Sequence, residues 1–388
     1  MLPSALPVRF ILNPRSDPSA EFGIRREAIL SREAHESAFQ EVSSWPGYRP
    51  TPLRRLEALG EKLGLDALWY KDEGTRFGLG SFKALGGMYG VYRVLQDHLR
   101  SVTGLSTLSP QALLEGTHSD LLSTFTVTCA SAGNHGKAVA RGAQMFGCRC
   151  VVFLPGHTPP HRVEAIRSLG ATTVLVERGF DEGVTRAAEE AEEKGWAVVA
   201  DTAFPGYQEV PRHIMQAYTI LAREVLDQIG SDPLPTHVFL QAGVGGLAAA
   251  VAGHFWYTLG ATRPKVIVVE PSEADCLLES GLRGRAAPST GNLQTNMECL
   301  ACREVSLLAW EILEEGADAF TSVTDGAARE TVELLEKSVG YDPAILTQPS
   351  GAAGLTGLIA ASLEPGLGRP LNLGAESHVL IIGSEGPP

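Results

Sequence analysis

The chain has 388 residues, 44% of them hydrophobic, with 42 glycines and a formal net charge of −13. Length and composition describe a folded enzyme-like protein of two domains or one large α/β unit. The charge argues against broad binding to nucleic acid or anionic membrane, and no run approaches the length that spans a bilayer. Residues 1–10 lack the apolar core of a signal peptide, so the expected location is the cytoplasm. Six cysteines in this length do not make a disulfide scaffold.

The first informative stretch is Phe77-Gly78-Leu79-Gly80 followed by Ser81-Phe82-Lys83. A helical pattern covers 82–96, with Ser81 as its expected N-cap. The partial positive charge of a helix N-terminus disfavours the ammonium form of Lys83. A neutral amine is the form that attacks an aldehyde to make a Schiff base. The plain alternative is a surface lysine that snorkels to water. Residues 101–124 are rich in Ser, Thr and Leu and read as a surface insertion with a short helix.

Beyond it, β-rich runs at 125–130, 149–154, 172–176, 196–200, 236–242, 265–270 and 378–382 alternate with helical patterns. The helices are expected at 135–146, 159–169, 182–194, 209–229 and 247–258. Runs such as Val266-Ile267-Val268-Val269 are apolar throughout, which suits strands covered on both faces. The alternation predicts an α/β fold of two doubly wound domains with mostly parallel sheets. The smaller domain is expected at 84–200, and the larger at 1–83 plus 201–388. Ligand sites in such sheets lie at the carboxyl ends of strands.

Several candidate residues stand at such ends. Thr128 to Gly136 reads TCASAGNHG, and places Asn134 in a glycine-flanked turn where it would cap the next helix. Asp201 ends the run Trp196–Ala200; it is a site candidate or an N-cap. Gly243-Val244-Gly245-Gly246-Leu247 opens a helix, where converging backbone amides and the helix dipole favour a phosphate. Glu270, at the end of the next strand, also fits the ribose-binding acid of a dinucleotide site, so a nicotinamide-dependent oxidoreductase is the rival class. That rival leaves Lys83 and Asn134 unexplained. A non-catalytic amino-acid-binding module is the other alternative. The last strand delivers the hydroxyl of Ser384. Cys299 and Cys302 have redox-motif spacing, but no second pair completes a zinc site and no metal is expected. A lysine for a Schiff base, a nearby amide, a glycine nest and a terminal serine together fit pyridoxal 5'-phosphate.

These motifs resemble the fold-type-II pyridoxal-phosphate enzymes, the group of threonine dehydratase and the tryptophan synthase β chain. Within it the chain is most similar to the diaminopropionate ammonia-lyases. The matching stretches include Lys71-Asp72-Glu73, Phe82-Lys83, Gly133-Asn134-His135-Gly136, Asp201-Thr202-Ala203, Leu240-Gln241-Ala242-Gly243 and Ser350-Gly351-Ala352-Ala353-Gly354. They run in order from about residue 40 to the C-terminus.

The resemblance implies a cofactor in a cleft between the two domains, a homodimer and a small amino-acid substrate. Lys83, flanked by Phe82, would carry the cofactor, and Asn134 would meet its ring hydroxyl. Gly243, Val244, Gly245, Gly246 and Leu247 would hold the phosphate, and Ser384 would face the pyridine nitrogen. The amides of Ser131, Ala132, Gly133, Asn134 and His135 would hold the substrate carboxylate. Asp201 would act near the substrate's β-carbon or amine. The implied reaction is α,β-elimination to a 2-oxo acid and ammonia, with Lys83 taking the α-proton. The diaminopropionate lyases carry an aspartate where this chain has Ala132. That departure favours a β-hydroxy-amino acid such as serine, threonine or phenylserine, with 2,3-diaminopropionate as the alternative.

Overall fold

The structure, a computed structural model, describes residues 2–3, 9–105, 109–177 and 180–387. Its strands are β1 (Arg9–Leu12), β2 (Leu53–Arg55), β3 (Ala67–Asp72), β4 (Thr126–Ala130), β5 (Arg149–Pro155), β6 (Thr172–Val176), β7 (Ala197–Val198), β8 (His237–Gln241), β9 (Lys265–Pro271), β10 (Ala319–Val323) and β11 (His378–Gly383). Five of its helices are α1 (Lys83–Thr103), α2 (Asn134–Phe146), α3 (Gly246–Leu259), α4 (Cys276–Arg283) and α5 (Pro349–Leu363). Among the described residues no helix is long and apolar enough to cross a membrane.

Two compact units emerge. One comprises Met1–Glu33, Pro50–Ser81 and Tyr218–Pro388; the other comprises Ala34–Arg49 and Phe82–Ala217. The sequence reading had placed 34–49 and 201–217 in the larger domain. Residues 34–49 join the smaller unit because Trp45 packs edge-on to Phe146 with centroids 5.4 Å apart. Glu41 also accepts hydrogen bonds from the hydroxyls of Tyr89 (2.7 Å) and Tyr92 (3.2 Å). Residues 201–217 join it because Tyr207 is hydrogen-bonded to the backbone of Val198 and Ala200. An apolar periodicity cannot show such pairings.

The larger unit holds a seven-stranded sheet in the order β1-β10-β9-β8-β11-β3-β2. Its pairs are parallel except the two outermost, β1 with β10 and β2 with β3. Strand β8 is buried at every position, its apolar Val238–Leu240 flanked by a buried His237 and Gln241. Its neighbours fill a core that includes Leu68, Phe239, Ile267, Leu355, Leu358 and Ile381. Strands β1, β2, β3 and β10 were not expected from the sequence; β2 is three residues long and β10 is fully buried but lacks alternation.

One ion network is buried in this unit. Arg76 donates to Glu73 and Glu224, and Lys71 donates to Glu224 at 2.6 Å, to Gln228 at 2.8 Å and to the Thr51 carbonyl at 2.7 Å. Arg76 is 1% exposed and Glu73 fully buried. Two cations facing two carboxylates make the cluster neutral, the condition for tolerating buried charge. It ties down the 3-10 turn Glu73–Gly78, whose Phe77 sits at a φ of 51°.

The smaller unit holds a fully parallel sheet in the order β6-β5-β4-β7. The expected insertion at 101–124 is partly helix: α1 runs to Thr103, and short helices cover Pro110–Leu114 and Ser119–Leu122. Residues 106–108 of that insertion lie outside the described residues.

Candidate active site

Lys83 is the first residue of α1, as the pattern predicts, but Ser81 is not its N-cap. The cap position is Phe82, with no side-chain capping bond. Ser81 instead forms an isolated antiparallel bridge with Glu385. The electrostatic misplacement of Lys83 is resolved by a partner far along the chain. Lys83 Nζ donates to Asp201 Oδ2, and its side chain keeps 20% of its surface exposed. The Phe82 ring lies 5.3 Å from the ammonium, measured to its centroid.

Asp201 therefore does not cap a helix; a turn follows it, and its carboxylate faces Lys83 and His135. His135 Nδ1 stands 4.0 Å from Asp201 Oδ2, while its Nε2 meets the Val199 carbonyl at 2.8 Å. That bond fixes the hydrogen on Nε2 and leaves Nδ1 as the basic nitrogen. Burial pushes the imidazole's pKa down, against the pull of Asp201. Burial would by itself raise the Asp201 carboxyl, but the charge of Lys83 outweighs it and holds the group below the usual carboxylate range. We assign the effect to Lys83 rather than His135, because the buried imidazole stays neutral.

The turn Ser131–Gly133 joins β4 to α2. The N-cap of α2 is Gly133, without a side-chain cap bond, so Asn134 is a helical residue rather than the cap. Ser131 Oγ accepts from the Gly133 amide at 3.3 Å. Position 136 must be glycine, since a Cβ there would lie 2.3 Å from the Ser131 carbonyl oxygen. The first amides of α2 are left without intrahelical partners, as at any helix start. Ala132 is half-buried in this turn.

In the larger unit, Gly243–Gly245 link β8 to α3. Gly245 has a φ of 96°, a conformation that L side chains rarely adopt. A Cβ at Gly243 would approach Cys302 Sγ to 2.9 Å, so the stretch 299–302 packs on the nest. Strand β11 pairs with β8, and its end carries Ser384, which is 4% exposed. Gln241 Nε2 donates to Ser384 Oγ at 2.7 Å and to the Ile382 carbonyl at 2.8 Å. The carbonyl fixes the amide's orientation. Ser384 Oγ thus accepts from Gln241, which leaves its own hydrogen available to donate. The sequence reading included Gln241 in a motif without giving it a role. A polar residue closing the otherwise apolar Val238–Leu240 was the signal.

Glu270 does not fit a ribose site. It is fully buried and its two carboxylate oxygens accept from the amides of Leu277 and Leu278, each at 2.8 Å, at the start of α4. Burial raises its pKa well above the carboxylate range. The acid caps a helix, which removes the feature that supported the dinucleotide rival. Cys299 Sγ lies 3.4 Å from Glu385 Oε2, and Cys299 and Cys302 form no disulfide.

The residues fit pyridoxal phosphate. In the smaller unit a lysine amine stands on an accessible side chain; in the larger unit a glycine turn at positive φ opens a helix, and a buried hydroxyl that accepts from Gln241 keeps a hydrogen to donate.

Comparison with known proteins gives the same direction. A family model described as pyridoxal-phosphate dependent enzyme matches residues 44–382. The diaminopropionate ammonia-lyase of Escherichia coli (strain K12) is 37% identical over 366 residues, covering 93% of this chain and 88% of that protein. A biosynthetic L-threonine dehydratase of Haemophilus influenzae is 28% identical over 310 residues, covering 79% of this chain and 52% of that protein. The crystal structure of holo diaminopropionate ammonia-lyase from Escherichia coli superposes with a TM-score of 0.88 at 34% identity, covering 99% of this chain and 95% of that one.

Proposed function

The chain belongs to the pyridoxal-phosphate-dependent enzymes, and from that premise we propose that it is an ammonia-lyase eliminating the β-amine of 2,3-diaminopropionate. Water completes the reaction, giving pyruvate and two molecules of ammonia. The sequence reading had ranked β-hydroxy-amino acids first. The higher identity and longer coverage of the diaminopropionate lyase, compared with the threonine dehydratase, support the opposite order.

The observation that carries this reading is the state of Asp201. Paired with Lys83 and held below its usual range, it is an anion. In that state it can hold a β-ammonium. Ala132 has no proton to give. A β-ammonium leaves as neutral ammonia and takes no proton from the protein, so Ala132 does not bar an amine leaving group.

Bound pyridoxal phosphate supplies the electron sink that acidifies the substrate's Cα–H bond. Lys83 would carry the cofactor, and its Nζ is the base that would take the α-proton. The amides at the N-terminus of α2 would bind the α-carboxylate, except that of Ser131, which donates to the Phe153 carbonyl at 3.2 Å. Asn134 would orient the ring hydroxyl, the nest at Gly243–Leu247 would take the phosphate, and Ser384 would donate to the pyridine nitrogen, which a neutral hydroxyl would leave unprotonated. The resemblance gives the acid missing at Ala132 a part in proton transfer with the D-substrate, so the L-isomer is the expected better substrate.

A β-hydroxy substrate is the second reading, favoured by the Ser-Ala-Gly-Asn-His loop around Ala132. Release of 2-oxo acid and ammonia from L- and D-2,3-diaminopropionate, L-serine and L-threonine separates the two. The highest kcat/KM is expected with L-2,3-diaminopropionate; preference for either hydroxy acid would establish the second reading instead.

A further inference from the structure

Asp201 sits where the backbone has little else to hold it. Strand β7 is two residues long and lies at the edge of its sheet, so its ladder is made on one side only. The last ladder bond is from the Val199 amide to the Thr128 carbonyl, 2.8 Å. Asp201 lies two residues beyond it. An unsupported backbone there would let the carboxylate wander from Lys83.

Two side chains supply the support. Phe204-Pro205-Gly206-Tyr207 forms a tight turn in which Phe204 and Tyr207 exchange backbone hydrogen bonds of 3.1 and 3.0 Å. Pro205 precedes Gly206, whose φ is 85°, the sequence and geometry of a type II turn. The turn stacks the Phe204 and Tyr207 rings, with centroids 5.1 Å apart and planes 21° apart. This carries the Tyr207 hydroxyl back onto β7. The hydroxyl donates to the Val198 carbonyl at 2.9 Å and accepts from the Ala200 amide at 3.0 Å. Between these two contacts, the Val199 carbonyl accepts from His135 Nε2. Three consecutive residues before Asp201 are thus fixed, two by one phenol and one by one imidazole. The other imidazole nitrogen, Nδ1, is buried without a hydrogen-bond partner and faces Asp201.

Resting on the role given to Asp201 above, we infer that Tyr207 and His135 are positioning residues that brace the backbone before Asp201 and so hold its carboxylate against Lys83. They act on turnover through Asp201, and neither is required to touch the substrate for this role. Misplacement of a catalytic group by about 1 Å costs up to 10²-fold, which sets the scale of the effect.

The test is a double-mutant cycle on the holoenzyme with L- and D-2,3-diaminopropionate, L-serine and L-threonine. Tyr207→Phe keeps the ring, the stack and the turn and removes only the hydroxyl. It is expected to lower kcat on the order of 10- to 100-fold, with KM, cofactor absorbance and Tm little changed. Combined with Asp201→Asn it should cost no more than about twofold beyond Asp201→Asn alone, because the two act on one group. Losses that multiply in the double variant would overturn the brace. So would a fully active Tyr207→Phe beside an impaired Asp201→Asn, and that outcome leaves the role of Asp201 standing. An Asp201→Asn enzyme of unchanged turnover removes both. Should Tyr207→Phe not fold, His135 decides. Glutamine there can still donate to the Val199 carbonyl, so His135→Gln is expected to retain at least tenfold more turnover than His135→Leu; equal losses in the two would overturn the brace.

Discussion

Lys83 and Asp201, 118 positions apart in sequence, are in direct hydrogen-bonded contact. The pair explains how a lysine can begin a helix, where the dipole opposes its charge. It also sets the first expectation. Borohydride reduction of the holoenzyme followed by peptide mapping should place the cofactor label on Lys83, and label on any other lysine would refute its assignment. Asp201→Asn should keep the cofactor spectrum and lower turnover by about 10²–10⁴-fold. Full turnover would leave the carboxylate with no chemical role.

The glycine turn after β8 should not tolerate a side chain. At Gly245 an aspartate would meet both a positive φ and, at its Cβ, the Ala309 methyl at 3.1 Å. It would also bring a negative charge to the proposed phosphate site. Gly245→Asp is expected to lose pyridoxal phosphate on gel filtration, while Gly245→Ala, equally strained but uncharged, loses less. Equal retention in both would mean that the phosphate is held elsewhere.

Arg76 is expected to matter for stability more than any exposed arginine. Replacing it with methionine leaves Glu73 and Glu224 facing each other in the core, with Lys71 pairing only Glu224. Breaking such a buried network costs about 3–5 kcal/mol. Arg76→Lys restores charge without the two-pronged geometry and should cost less. Urea midpoints at constant m measure both; a loss under about 1 kcal/mol for Arg76→Met would show that the carboxylates find other partners.

Three buried histidines, His135, His213 and His237, have pKa values lowered chiefly by burial. The unfolded chain binds protons that the folded one refuses. Their contribution to stability is complete above the ordinary histidine pKa of about 6.5 and is lost as pH falls below it, toward the lower folded values. Glu270, whose pKa is raised, works in the opposite direction. A single variant isolates the effect. His237 accepts or donates only at the Leu371 carbonyl and Thr236, away from the lysine and the glycine turn. His237→Gln should flatten the slope of stability against pH below 6.5 by up to about 1.4 kcal/mol per pH unit. An unchanged slope would mean that His237 titrates alike in both states.

What the sequence by itself determined were the features with local causes. The fully apolar strands at Val266–Val269 and Val379–Ile382, the helix at Lys83 and the glycine turn at 243–245 follow from periodicity and backbone freedom. So does the strand–helix alternation that makes both sheets mostly parallel. Tertiary structure decided what depends on who meets whom. Ser81 reads as a cap, yet the chain pairs it with Glu385 and leaves the charge of Lys83 to Asp201. Glu270 has the spacing of a ribose ligand, yet it is folded against the amides of Leu277 and Leu278. Gln241 and Tyr207 gain their partners only when β8 meets β11 and the turn at 204–207 folds back on β7. The reason is physical. Hydrophobic period and turn chemistry act within a few residues, whereas a buried polar group is satisfied by whichever partner the packed core brings within hydrogen-bond reach.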